Sequence, residues 1–378
     1  MKNALIIFPY PNHNALVFNM VKNLRANNLV VDALNSANLQ FIGETNTKVK
    51  FKYKLLSWLL RLPIPKIKGV ISRIVGIDKI LFRITEKYDL IDFHMFSPAY
   101  DSIIKELIKK GKKVKISIWG SDFYRASHIR REQQRPIYRL CNRIQISTRE
   151  MKNDFVSYFN DFEDKIRIVN FGIHQFDIID KIQKLPFRSK FKPDEYKDRL
   201  TVICGYNGSN GQQHLTIIGA IKKLDGSVKS KMYLILPMTY GCEKAYYNNI
   251  KKELLQLNVP YLIIRNFLDD ETNAKLRIAA DLVINIQKTD AFSGSLQEHL
   301  YAGCLLLVGD WLPYSILHEK GVFYKTCSMD NLDKKIADCV ENYDVYKRDT
   351  TGNKEKMHQI SSWSNVGKRM SDIYKELV

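Results

Sequence analysis

The chain has 378 residues, 45% hydrophobic and 26% charged, which excludes a disordered or collagen-like polymer and exceeds what one hydrophobic core usually serves. Against 40 Asp and Glu stand 59 Lys and Arg, a formal charge of +19 that calls for a polyanionic neighbour: nucleic acid, an anionic membrane or a phosphorylated substrate. The six cysteines are scattered without a C-x-x-C pair, no apolar run reaches the roughly 18 residues of a bilayer span, and the N-terminal apolar run is too short for a signal peptide, so a reducing, cytoplasmic setting is expected.

The first predicted strand, Ala4–Phe8, runs into Pro9-Tyr10-Pro11-Asn12-His13-Asn14, a loop stiffened by two prolines. A second strand follows at Leu29–Leu34. Residues 45–77 carry no acid from Thr45 to Ile77, while Lys48, Lys50, Lys52, Lys54, Arg61, Lys66, Lys68 and Arg73 alternate with Leu55, Trp58, Leu59 and other apolar residues. That mixture suits a bilayer interface, with rings and aliphatic groups in the headgroup boundary and amines on anionic lipid. The competing reading, an excursion that closes a core, would not need eight uncompensated cations.

Strands at Leu90–Phe93, Val114–Trp119, Arg143–Ser147 and Ile166–Asn170 come next, separated by helices such as Pro98–Lys110 and Arg149–Phe159. His94 ends one of these strands, and another leads into Trp119-Gly120-Ser121-Asp122-Phe123-Tyr124, a glycine-containing turn. Asp122 and His94 are candidates to bind or deprotonate a hydroxyl. The alternatives are a helix-capping aspartate and a hydrogen-bonded core histidine.

The polar stretch 184–199, with two prolines, reads as an interdomain linker. It divides the chain into a first domain at 1–183 and a second at 200–355, with a closing helical segment at 356–378 that ends in the amphipathic run Trp363–Leu377. The second domain alternates strands at Leu200–Gly205, Met232–Leu236, Tyr261–Arg265, Leu282–Ile286 and Leu305–Val308 with helices at Gln212–Leu224, Ala245–Leu257, Asp270–Ala279 and Ser295–Ala302. Such a rhythm predicts an α/β fold: two facing Rossmann-like domains with a ligand cleft at the carboxyl ends of their strands.

Two strand-to-helix turns in the second domain suit phosphate. Gly205-Tyr206-Asn207-Gly208-Ser209-Asn210-Gly211 is rich in glycines and amides, and Ser293-Gly294-Ser295 opens a helix whose first N–H groups lack helical partners. One turn into that helix, the Glu298 carboxylate matches a vicinal diol such as a ribose offers. The competing reading is a capped surface helix with a solvated glutamate. Arg265 and Lys288, at the ends of neighbouring strands, are candidates to neutralise a diphosphate, or else ordinary surface cations.

From Ala280-Asp281 through the strand to Asp290-Ala291-Phe292-Ser293-Gly294, Glu298 and Ala302-Gly303, the sequence resembles the retaining, family 4-like GT-B glycosyltransferases with an acid-x7-Glu signature. Asp290 stands where the family has a glutamate, and the glycine is displaced by one position. The resemblance implies that Glu298 binds the nucleotide ribose, that Asp290 contacts the transferred sugar, and that the anomeric configuration is retained. Trp119-Gly120-Ser121-Asp122-Phe123-Tyr124 and Leu236-Pro237-Met238-Thr239-Tyr240 are similar to segments of bacterial transferases that add 4-acetamido-4,6-dideoxygalactose to a lipid-linked precursor of surface polysaccharide. By that likeness Pro237 joins the nucleotide-sugar residues, to which the glycine- and amide-rich turn contributes Gly205, Asn207, Gly208 and Ser209, and Trp119 and Tyr124 join the acceptor side; His13 follows the first strand, where GT-B relatives carry a loop near the acceptor, or else simply precedes a helix.

No Asp-x-Asp, H-E-x-x-H, Walker A or G-x-S-x-G occurs, so metal-independent transfer is expected, with no cofactor beyond the nucleotide-diphosphate sugar donor. The expected partners are that donor, a lipid-linked or saccharide acceptor and, through 45–77, the anionic inner face of the cell membrane, with no nucleic acid. Two other readings fit the same residues less fully: a noncatalytic basic binder of membrane or nucleic acid, and a nucleotide-sugar epimerase on the same architecture.

Overall fold

The computed structural model of the protein describes residues 3–9, 14–42, 77–95, 100–184 and 191–378. The basic stretch 45–77, apart from Ile77, lies outside the described residues, as does His13. The chain forms two compact units, one of Met1–Gly172 with Trp363–Val378 and the other of Ile173–Ser362.

In the first unit, β1 (Asn3–Phe8), β2 (Val30–Asn35), β3 (Gln40–Ile42), β4 (Leu90–His94), β5 (Lys113–Ser117), β6 (Arg143–Ile146) and β7 (Ile166–Ile168) make a sheet of order β3-β2-β1-β4-β5-β6-β7. Every pairing is parallel except β2 with β3. Central strands such as β1 and β4 are buried along almost their whole length, as expected of strands covered by helices on both faces. The edge strand β3 has no counterpart in the sequence reading. Asn35 and Asn38 turn the chain back into it, each side chain accepting the amide two residues on, from Ala37 at 2.9 Å and Gln40 at 3.2 Å.

The second unit holds β8 (Leu200–Cys204), β9 (Met232–Pro237), β10 (Tyr261–Ile264), β11 (Leu282–Asn285), β12 (Leu305–Gly309) and β13 (Lys325–Cys327), in the order β10-β9-β8-β11-β12-β13. All its pairings are parallel. The strand order reverses between β8 and β11, which opens a crevice beyond their carboxyl ends.

The units divide elsewhere than at 184–199. Helix Gln175–Gln183 belongs to the second unit because Phe176, Ile179 and Ile182 enter its core beside Leu276 and Leu300. The Phe176 ring also stacks on Tyr301 at 3.9 Å and 5°. At the other end, helix Asn353–Ser361 stays with the second unit, the extended residue Ser362 breaks the run, and helix Trp363–Leu377 returns to the first. Its Trp363, Val366, Met370, Ile373 and Leu377 recur at helical spacing and pack on Val17, Met20 and Leu24 of helix Asn14–Ala26. Gly367 permits the approach, since a Cβ there would lie 3.2 Å from Cβ of Asn23.

Among the described residues no helix is long and apolar enough to cross a membrane, and no group of His, Cys, Asp or Glu is placed to hold a metal ion.

Candidate functional site

A pocket of about 320 Å³ opens in the second unit. Its lining comes from the ends of four strands and the residues that follow them: Tyr206 after β8, Pro237, Thr239 and Tyr240 at the end of β9, Phe267 and Leu268 after β10, and Ser293–Ser295 with Glu298 after β11. Helix Asp270–Ala279 adds Asn273, Leu276 and Arg277. The pocket therefore sits at the point of strand reversal.

Helix Gly294–Ala302 starts where it does because Ser293 caps it, its Oγ accepting the Leu296 amide at 3.5 Å. Asp290 shapes the preceding loop: its Oδ2 accepts the Ser293 amide at 2.7 Å and the hydroxyl of buried Tyr314. Between them Phe292 adopts φ +75, a conformation costly for a bulky side chain, and holds it because its ring is buried and Gln297 Nε2 donates to its carbonyl at 3.0 Å. This strained turn brings Gly294 and Ser295, the first residues of the helix, to the pocket wall, and a helix N-terminus favours an anion.

Glu298 is tied to Arg277, whose Nε donates to Oε2 at 2.9 Å; the two side chains are 13% and 7% exposed. The other oxygen, Oε1, lies 4.0 Å from where a Cβ on Gly294 would stand, on the side of the helix mouth. Sequence reasoning missed Arg277, along with Asn273, Tyr240 and Phe267. They belong to loops and to a neighbouring helix, and no spacing links them to the acid-x7-Glu segment.

The loop after β8 behaves differently from its sequence reading. Its amides donate within the protein: Gly205 to the Ile284 carbonyl at 3.1 Å, Gly208 to the Tyr240 carbonyl at 2.8 Å, Ser209 to Asn207 Oδ1 at 2.9 Å and Gly211 to Ser209 Oγ at 3.2 Å. Gly205, Gly208 and Ser209 thus have their amides engaged within the protein, Asn207 serves as one of the acceptors, and Tyr206 is the member of the turn that lines the pocket. Arg265 is exposed and stacks on the Tyr247 ring at 4.2 Å, and Lys288 is exposed. Neither lines the pocket, so among the described residues Arg277 is its one lining cation.

The first-unit candidates form a separate buried cluster. Parallel register places Asp92 beside Lys115 and His94 beside Ser117. Asp92 accepts from Lys115 Nζ at 2.7 Å, His94 Nε2 at 3.0 Å, Tyr374 at 2.6 Å and Ser117 at 2.9 Å. His94 Nδ1 accepts from Trp119 Nε1 at 3.1 Å. With no solvent exposure and both ring nitrogens engaged, His94 is the hydrogen-bonded core histidine, and its expected role as an acceptor base is corrected accordingly. Asp122, the second residue of helix Ser121–Tyr124, does not cap it: its Oδ1 accepts the amides of Trp119 and Gly120 at 2.9 and 3.0 Å and so ties down the turn that leads in. Trp119 stacks on Phe171 at 4.2 Å, and Tyr124 donates to Asp154 at 2.7 Å.

Two buried histidines of the second unit give it an acid limit. Burial lowers the His214 pKa to about 4 and, helped by Arg277, holds that of His299 well below its ordinary value. Both stay neutral in the fold, so below pH 6.5 the unfolded chain gains protons that the folded chain refuses, and stability falls as the pH drops toward the folded values. His214 alone is expected to cost about 2 kcal/mol at pH 5 relative to pH 7. Urea unfolding followed by tryptophan emission at a series of pH values checks this, and His214→Leu should flatten the slope.

No family model matches the chain. Its sequence is similar to an uncharacterized glycosyltransferase of Methanocaldococcus jannaschii, 22% identical over 245 residues. The match covers 63% of this chain and 60% of that relative, less than two thirds of its length. Among solved structures it is similar to a glycosyltransferase from Rickettsia africae, with TM-score 0.72, 15% identity and coverage of 100% of this chain and 98% of the other. It is also similar to Anabaena HepE in complex with UDP and glucose, with TM-score 0.70, 12% identity and full coverage of both chains. The two Rossmann-like sheets are those of the GT-B fold.

Proposed function

We propose that the chain is a glycosyltransferase that takes a nucleoside-diphosphate sugar in the second-unit pocket and passes the sugar to a lipid-linked or saccharide acceptor. One observation carries the reading: Glu298, one oxygen on the Gly294 side of a capped helix whose first residues line the same pocket. A ribose accepted by Glu298 puts its diphosphate next to the amides of Gly294 and Ser295, which oppose the charge that grows on the departing nucleotide. The complex of HepE with UDP and glucose supports a donor of this class.

Asp290 keeps two tasks in this proposal, holding the loop that presents those amides and meeting the transferred sugar beside them. Retention follows from the acid-x7-Glu likeness. The first unit takes the acceptor, with Trp119 and Tyr124 near its recognition surface, and the basic stretch 45–77 keeps the enzyme on the anionic cytoplasmic face of the membrane. That setting suits assembly of a bacterial surface polysaccharide.

The test is a screen of the purified chain against UDP-, GDP- and dTDP-sugars, read as thermal stabilisation and as release of nucleoside diphosphate when a polyprenyl-diphosphate sugar is added. Stabilisation by at least one donor is expected, on the order of 3 °C or more at saturating ligand. If none stabilises the protein, the proposal fails.

A further inference from the structure

Arg277 has no task in the reading above, although it is the cation that lines the pocket. Resting on that reading, we propose that Arg277 is a positioning residue: it holds one oxygen of Glu298 so that the other faces the ribose, and thereby makes the pocket select for ribose hydroxyls.

The guanidinium is fixed from two successive residues of one helix. Its Nε donates to Glu298 Oε2 at 2.9 Å, and its Nη1 lies 3.5 Å from His299 Nε2. The other ring nitrogen of His299 is 2.7 Å from the Ser295 carbonyl, which can only accept, so Nδ1 carries the proton and Nε2 is the acceptor that Arg277 requires. Burial and the Arg277 charge keep that imidazole neutral. The backbone is held as well, because the Arg277 carbonyl accepts the Cys304 thiol at 3.1 Å. With so little freedom the guanidinium fixes where Oε2 sits through one hydrogen bond, which leaves Oε1 without a claim from Arg277.

Stability alone does not account for the pair. Burying two charges costs desolvation that their attraction roughly offsets, so an apolar pair would serve a purely structural end as well. A fixed carboxylate is useful when a second partner must find its free oxygen, and Oε1 stands on the helix-mouth side, next to the amides assigned to the diphosphate. In a nucleoside diphosphate the ribose is the group adjoining the phosphates.

The test is calorimetric binding of UDP and GDP and of their 2′,3′-dideoxy forms to the whole chain and to Arg277→Met and Arg277→Lys. The whole chain should prefer a hydroxylated nucleotide tenfold or more. In Arg277→Met that preference should fall to within about twofold while the dideoxy affinity holds, and Arg277→Lys, which keeps the charge but not the fork, should lie between. A preference unchanged in Arg277→Met overturns the proposal and leaves the nucleotide reading standing; should that variant not fold, an unchanged preference in Arg277→Lys overturns it equally. If the unaltered chain binds neither nucleotide, this inference falls while a dTDP-sugar that stabilises the protein would keep the proposed function; if it binds both forms alike, the Glu298 reading fails and this inference falls with it.

Discussion

Glu298→Ala is expected to weaken binding of the nucleotide donor about ten- to a hundredfold, the worth of one hydrogen bond to a charged group. Transfer measured as kcat/KM should fall at least as far, since a misplaced ribose misplaces the diphosphate. The substitution does two things at once. It removes the acceptor for the ribose, and it leaves the Arg277 guanidinium, only 7% exposed, without its carboxylate. Glu298→Gln separates these effects: it keeps the shape and an acceptor oxygen but not the charge, so its loss should be smaller in binding than in thermal stability. Direct titration of the donor into both variants, with a melting curve for each, checks the expectation. Donor affinity within twofold of normal in Glu298→Ala would remove the central residue of the proposed site.

The largest effect on stability is expected at Asp92. It and Lys115 have no solvent exposure, and Asp92 gathers donors from β4, β5 and helix Trp363–Leu377. Asp92→Ala leaves a buried ammonium without a counter-charge and four donors without their acceptor, a loss of about 3–5 kcal/mol. Against a typical domain stability of about 5–15 kcal/mol, most of the margin of the first unit disappears. The second unit, whose cores exclude these residues, should still bind nucleotide. Limited proteolysis provides the check: fragments of 3–172 should be cut readily in the variant while 173–362 persists with ligand. Burial pushes the Asp92 carboxyl upward, but His94 and Lys115 outweigh it and hold it well below the usual carboxylate range. Because the folded value is depressed, the stability it contributes is present above about pH 4, the unfolded value, and is lost as the pH falls further.

Eleven of the thirteen described strands were legible as short apolar runs between turn residues, since strands buried on both faces leave continuous hydrophobic stretches. The two unforeseen strands, β3 and β13, are three residues each at sheet edges, too short for any periodicity. Helix Gln175–Gln183 has no counterpart in the sequence reading, and which core Phe176 feeds is long-range information that a polar stretch at 184–199 misdirects. In the pocket, Glu298, Ser293, Gly294 and Ser295 were readable because a strand, a small-residue turn and an acid follow one another in the chain, whereas Pro237 came only from the likeness of its segment to other transferases. Arg277, Asn273 and Phe267 arrive by way of other elements. His94 offered a usable signal: Asp92 and His94 in one strand and Lys115 and Ser117 in the next are both spaced by two, so paired strands put all four on one face.

Because helix Trp363–Leu377 completes a unit that opens with β1, the polypeptide emerging from the ribosome cannot finish the earlier unit first. At about 5–20 residues per second, the roughly 190 residues of the intervening unit occupy on the order of ten to forty seconds of translation. Throughout that interval the face of helix Asn14–Ala26 that Met370 and Tyr374 will cover stays open, a natural stopping place for a holdase chaperone.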